Sequence, residues 1–449
     1  MTHAADPAQT TWRKLSRAEL DRVFQAHAAF RAARTGGKRA DLSYCDLSST
    51  DLSGRDLSDA NLTATRLRQC RLVGTKLHNA NLFASDLRLV IGHGIDLSLA
   101  DMRGACLRGA DLSDGKLHQS DLREGQLVRT DTTGNLVQFR FEPLASEMTA
   151  ASLARADLTQ ARLSTAFVVQ ADLSDAILKN IKAVRTDFRS SLLVGAQLAG
   201  ADLSHANLSG AVLRGASLIG AEWSGANFKG ADLAGAVVDP AAYTSRELAG
   251  SNLARPDPGL LDRLPQILAS HEEWVQSGSR SGTRADLSQA YLAGRDLKRT
   301  NLAAAVLNCA VLVGANLTEA RLAMADVAYA DLRRATLVCA DLRGVNFDHA
   351  MLEDADLSGA SMTPVSGSGV SAGDRTWQAR LDRAKLARAK LRNTVMRGVR
   401  FADADFTEAD LTGADLSGAI LHRARFTGAK LDGTKFEGAE LHSAIDLKL

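Results

Sequence analysis

Aromatic residues make up only 5% of this 449-residue chain, little for a globular enzyme of that length and natural for a narrow core filled by aliphatic side chains. No stretch approaches the roughly 18 consecutive apolar residues of a membrane-spanning helix. The five cysteines are scattered and include no CxxC pair, which argues against a disulfide framework or a zinc site. A net charge of +2 supplies no global attraction to nucleic acid. Neither a P-loop nor an HExxH helix is present, so the phosphate and metalloprotease chemistries those motifs serve have no anchor. The opening MTHAADPAQTTWRK lacks an apolar run of the secretory kind, so a cytoplasmic protein is expected, with signal-independent export left open.

What the chain has in abundance is a period of five. Leucine or another large apolar residue recurs at every fifth position, nearly always with a small residue two places earlier, as in ADLSHANL from Ala201 to Leu208. Four blocks keep strict register, with centres from Leu42 to Leu127, Met148 to Leu253, Leu287 to Met362 and Leu381 to Leu441, about three quarters of the chain. On an α-helix five residues advance by about 500°, so the leucines would smear around the cylinder. On a straight strand an odd repeat would flip each leucine to the opposite face. The chain must therefore turn a corner in every repeat, with the leucine and the small residue inward and the other three positions outward. Cys45 and Cys70 read as small apolar substitutes at that corner.

Charge supplies the number of sides. Arg383, Lys385, Arg388 and Lys390 stand twenty residues before Asp403, Asp405, Glu408 and Asp410, whereas an offset of fifteen sets Lys385 against Arg400. Four repeats per turn is the better inference, with coils stacked at about 4.8 Å. These A(D/N)LXX repeats resemble the pentapeptide-repeat proteins. The resemblance implies an all-β solenoid, a right-handed quadrilateral parallel β-helix, to which the sequence adds short capping α-helices.

The interruptions divide the molecule. Residues 1–15 read as a flexible N-terminus and 16–37 as a capping helix, in which Ser16 and Glu19 form a capping box and Leu20, Val23, Phe24, His27 and Phe30 an apolar stripe. A first solenoid is expected over 40–255, a linker and second capping helix over 256–284, and a second solenoid over 285–449. AHAAFRAARTGGKRADLS at Ala26–Ser43 and SHEEWVQSGSRSGTRADLS at Ser270–Ser288 share a His, an aromatic three residues on, and the first coil. His27 and His271 are therefore read as structural cap histidines rather than ligands. Register breaks at 128–147 and 363–380 read as protruding loops.

No catalytic, cofactor-binding or metal-binding residues are expected. The carboxylates occupy the repeat's Asp/Asn position as a structural habit, and His422 and His442 read as a solvated pair. Candidate partner-binding residues are Phe139, Arg140 and Phe141 in the first loop; Arg68, Arg88 and Arg108, which repeat at twenty with like sign; the apolar Leu192, Val194 and Val212; and Tyr291, Val311 and Val313, expected to be exposed on one side of the third block. The expected function is a rigid scaffold or adaptor for other proteins, with nucleic acid an unfavoured partner and the oligomeric state open. Relatives with the same His-x-x-aromatic cap look like accessories of bacterial type VI secretion clusters. The alternative implied by the resemblance is a DNA-mimicking modulator of DNA gyrase, against which stand the interleaved Lys and Arg. An enzyme is the third and least favoured reading.

Overall fold

The computed structural model describes residues 12–125, 128–130, 136–138, 146–255, 257–366 and 376–447. The period of five becomes a coil because each repeat holds one sharp turn. Two residues before a centre, the backbone N–H donates to the carbonyl of the preceding centre, as Ala60 does to Leu57 at 3.1 Å and Ala206 to Leu203 at 2.9 Å. Two residues past the centre φ is positive, 64° at Asp59 and 58° at His205, as the third residue of a type II turn requires. The outward Asp braces the same turn: Asp41 Oδ1 accepts the Ser43 N–H and Asp202 Oδ1 that of Ser204, both at 3.1 Å.

Successive coils pair in parallel at an offset of twenty, Asp41 opposite Asn61, Asn61 opposite Asn81, and Asp286 opposite Val306. One such bridge per repeat gives each coil four short sides. The centres point inward, and Leu42, Leu203 and Leu312 are fully buried. Phe406 and Phe426, one coil apart, stack at 5.0 Å, close to the inter-strand spacing of about 4.8 Å. Polar corner residues do more than fit: the Thr65 hydroxyl and the Cys70 thiol donate to the Leu42 and Leu47 carbonyls at 2.8 and 2.9 Å. Cys70 is thus a donor as well as a small filler, and burial pushes its thiol up to about 11.

The chain forms two compact units, Met1–Asp232 with Val238–Ser251, and Leu233–Val237 with Asn252–Leu449. In the first, strand β1 (Arg13–Lys14) pairs in parallel with β2 (Cys45–Asp46). Helix α1 (Arg17–Arg31) starts with the Ser16 and Glu19 capping box. The register expected to reach Leu253 stops short of it. Pro240 falls where the turn needs positive φ, which its ring forbids, and a 3-10 helix at Pro240–Thr244 replaces the coil. In the second unit, helix α2 (Pro258–Gln276) is capped by Asp257, whose carboxylate accepts the Gly259 N–H at 2.9 Å. One core runs from Leu264 and Ala285 to Phe426, with Leu260, Ile267 and Leu268 packed on it.

Both register breaks are excursions from an unbroken ladder. Cys106 pairs with Glu147 and Asn346 with Arg380, offsets of 41 and 34 in place of twenty. Met148 therefore takes the rung after Leu107; Leu127, counted as a centre from sequence, lies outside the described residues. The breaks also hold more order than plain loops, since β3 (Val128–Thr130) pairs antiparallel with β4 (Leu136–Gln138), and β5 (Val365–Ser366) with β6 (Thr376–Trp377).

Candidate binding surfaces

The outward positions are set by the turn, so their chemistry is that of a fixed lattice. Arginines one residue past a centre fold back on the Asp one residue before it: Arg88 on Asp86, Arg103 on Asp101 and Arg123 on Asp121, at 2.5 to 2.7 Å. This corrects the pairing inferred from sequence. The backbone offset is twenty, and Asp403 pairs at that offset with Arg383, at 4.0 Å, and with Arg423, at 2.6 Å, whereas Lys385 with Asp405, Arg388 with Glu408 and Lys390 with Asp410 form no ion pair. Arg388 reaches Asp354 at 2.8 Å and Lys390 reaches Asp356 at 3.5 Å, each across the second excursion. Asp410 and Asp415 take Arg392 and Arg397 diagonally, at 2.6 and 2.5 Å. A long arginine reaches sideways or diagonally as easily as straight across, so sequence offset fixes the rung and not the partner. Burial opposes ionisation of Asp410 and Asp415, but hydrogen bonds from Thr412 with Arg392, and from Ser417 with Arg397, hold both carboxyls at about 2.

The Arg68, Arg88 and Arg108 row shares one side of the coil, and each guanidinium faces a carboxylate: Arg68 and Arg88 flank Asp86, which is 2% exposed, and Arg108 lies 3.8 Å from Glu147. Leu192, 43% exposed, sits directly opposite Val212 on the ladder, with half-buried Val194 on the same side. Tyr291 and Val311 likewise pair, and Val313 is half-buried. Val311 corrects the expectation of exposure: it is 7% exposed, a short side chain between Tyr291 and Asp331 on the flanking rungs. Phe139, Arg140 and Phe141 lie outside the described residues, as does the segment Gly369 to Gly373, whose Ser371 fits the G-x-S-x-G spelling of a nucleophile elbow. By sequence that segment stands in a Gly/Ser-rich stretch without the apolar run that precedes such an elbow.

Sequence reasoning missed Phe167, which is 43% exposed one rung beyond Glu147, and the exposed Leu89, Ile91 and Leu99. The signal was available: Phe167 and Ile91 occupy the position that normally carries Asp or Asn. It also missed Glu353, whose Oε2 is buried without a hydrogen-bond partner and whose carboxyl is pushed up to about 7, chiefly by burial. The His422 and His442 rings are 6.1 Å apart, and Glu440, from a different ladder, lies 2.9 Å from His422. Among the described residues no group of three His, Cys, Asp or Glu side chains could hold a metal ion, and no helix is long and apolar enough to cross a membrane.

Two buried histidines supply an acceptor where a preceding repeat's carbonyl would stand. His27 and His271 are fully buried, and their Nδ1 atoms accept the N–H of Ala40 and Ala285 at 3.1 and 3.0 Å. In later repeats that N–H goes to the preceding centre's carbonyl, which the first repeat of a coil does not have. The rings stack on Phe30 and Trp274 at 5.8 and 5.6 Å. Accepting at Nδ1 requires the neutral ring, and burial lowers the pKa of both.

The family model described as "Pentapeptide repeats (8 copies)" matches residues 56–91, 91–119, 151–189, 184–218, 206–238, 285–323, 328–363, 379–418 and 419–445, well over half of the chain. The chain belongs to the pentapeptide-repeat family. Its coils form a β-helix solenoid built of pentapeptide repeats. Among solved structures, this pentapeptide-repeat protein is similar to HetL of Nostoc sp. strain PCC 7120, involved in heterocyst differentiation regulation, at 21% identity over 96% of each chain with a TM-score of 0.15. It is similar to the plasmid-mediated fluoroquinolone resistance protein QnrB1 at 18% identity over 44% of this chain and 93% of that one, with a TM-score of 0.25. A pentapeptide repeat protein of the Arabidopsis thaliana thylakoid lumen matches at 25% identity over 21% of this chain and 83% of its own, with a TM-score of 0.17. At such TM-scores these likenesses carry no argument about function. No curated protein sequence matches.

Proposed function

We propose that this protein is a non-enzymatic scaffold or adaptor whose rigid coil sides hold other proteins, and that its coil is right-handed with α1 and α2 as the caps of two solenoids. The observation that carries the reading is the placement of large apolar side chains at outward ladder positions, Leu192 opposite Val212 and Phe167 beside Glu147, on a backbone bonded to the coils on both sides. A surface so constrained binds without rearranging, which lowers the entropic cost of association. Ladder carboxylates such as Asp86 and Asp121 are occupied by turn N–H groups and arginines, which weighs against an enzyme. The same mixed ladders weigh against a continuous acidic face and so against DNA mimicry. Service in a type VI secretion cluster would be one instance of the adaptor role and rests on the likeness of the cap alone. The test is co-purification from the native cell with the parent and a Phe167→Asp, Leu192→Asp variant. Loss of specific partners at unchanged thermal unfolding supports the reading, and identical partner sets refute it for these sides.

A further inference from the structure

The N-terminal end of the first unit holds a cavity of about 600 Å³ lined by Arg13, Arg22, Lys38 and Arg39, one carboxylate, Asp41, and the exposed Tyr44. Its cations differ from the coil arginines that stand one residue past a centre and fold onto their own repeat's Asp. Where Arg88, Arg103, Arg123, Arg189, Arg333 and Arg343 each fold onto the Asp of their own repeat, these four make no ion pair with any described residue. Three are instead pinned by other bonds: Arg13 to the Cys45 sulfur, Arg22 to the Ala18 carbonyl and Arg39 to the Asp59 carbonyl. The nearby carboxylates Glu19 and Asp41 sit in the field of these arginines, Glu19 in that of Arg22 and Arg13 and Asp41 in that of Arg13, but their hydrogen bonds go elsewhere. Asp41 Oδ1 takes the Ser43 N–H, the Ser43 hydroxyl and the Asn61 amide, and Glu19 takes the Ser16 N–H and hydroxyl.

A second observation concerns the backbone at the same place. In each inner coil the residue before the centre donates its N–H to the coil before it and accepts from it: Asn61 gives to Ala40 and receives from Leu42, at 2.9 and 2.8 Å. Asp41 is the first such residue of its ladder, and its own N–H and C=O have no partner among the described residues. On the next side of the coil β1 occupies the equivalent edge against Cys45–Asp46. The edge at Asp41 is open, and four unpaired cations surround it.

We propose that this edge is the docking site for an extended acidic peptide segment of a partner protein, added as a short parallel or antiparallel strand against Asp41 with its carboxylates toward Arg13, Arg22, Lys38 and Arg39. Strand addition supplies main-chain hydrogen bonds, and the cations supply the choice of an acidic sequence. The cavity falls within the range of about 300 to 1,000 Å³ typical of ligand sites. The inference deepens the adaptor reading but uses a different surface, so the peptide assay and the co-purification of side-face variants succeed or fail independently.

Fluorescence anisotropy on the full chain tests it, with a labelled ten-residue peptide of alternating Glu and Thr. The expected result is saturable binding that weakens as salt rises, falls by about tenfold or more in Arg22→Glu, Lys38→Glu with unchanged thermal unfolding, and is lost when alternate peptide nitrogens are methylated. Absence of binding overturns the proposal, as does equal binding by the double variant or by a Lys-Thr peptide. Binding by the methylated peptide together with displacement by inorganic triphosphate overturns it in favour of a simple anion site. Binding that arises only after removal of residues 1–11 overturns it in favour of the chain's own terminal segment.

Discussion

Replacing His271 with leucine removes one acceptor from the first coil of the second unit and leaves a ring-sized apolar side chain in its place. The Ala285 N–H, now paired with Nδ1 at 3.0 Å, is left buried without a partner, a loss of about 1 to 3 kcal/mol. The parent itself weakens in acid. The folded pKa of His271 is lowered, first by burial, so between that value and 6.5 the unfolded chain binds more protons than the folded one. Stability from the neutral ring is therefore fully present above 6.5 and falls as the pH drops below it. The leucine variant has no such dependence. The destabilisation by His271→Leu should then be largest near pH 8 and shrink as the pH falls to 5.5.

Local hydrogen exchange is the right assay, because a solenoid of two units need not unfold in one step. The amides from Ala285 to Val306 report the first coil, since Val306 donates back to Ala285 at 2.9 Å. Taking the difference between variant and parent cancels Glu353, which titrates in the opposite sense. Equal protection of these amides in both proteins at pH 8, or a difference that does not change with pH, would refute the account of the histidine as a stand-in for the missing repeat.

Leu203→Ala, at a fully buried centre, should cost about 2 to 5 kcal/mol in denaturant unfolding, and Leu203→Asp should abolish amide protection in the coils on either side. Glu353→Gln should leave stability unchanged near pH 4 and raise it toward pH 8 by up to about 3 kcal/mol, because the folded carboxyl at about 7 lies above its ordinary 4.5 and the buried charge weakens the fold as the pH rises through that window. Thiol titration should find about one reactive cysteine per native chain, Cys339, with Cys45, Cys70, Cys106 and Cys309 reacting only after denaturation.

The coil was legible in the sequence because burial and backbone pairing both act through the period: a leucine every fifth residue forces the corner, and a sign change every twentieth marks the next rung. The capping box of α1 was legible for the same local reason. Ion-pair partners were not, since the offset of twenty places Arg388 and Glu408 on neighbouring rungs without telling a flexible guanidinium to prefer Glu408 over Asp354. The end of the first register was readable in principle from Pro240 at a positive-φ position, but leucines at 248 and 253 kept the apparent period going. Among the candidate binding residues, Leu192 and Val212 were brought together as expected from their spacing. The burial of Val311 and the exposure of Phe167 depend on what flanks each rung, which a period cannot express.

The excursions show how such a coil accommodates change. Leu107 donates to Glu147 at 2.7 Å across the first excursion, while Leu87 donates to Cys106 at 2.8 Å across an ordinary turn. The ladder is the same whether twenty residues or 41 separate its partners, because each coil is held only by its neighbours and the added chain leaves and returns at a corner. A coil that ignores what is added at its corners can change there without loss of its core. The same holds for outward ladder positions, where Phe167 replaces the usual Asp or Asn and the backbone bonds from Phe167 to Ser146 and from Met148 to Phe167 remain, at 2.9 and 2.7 Å. Departures from the period at outward positions are therefore places where chemistry can vary while the backbone ladder is kept, as Phe167 shows.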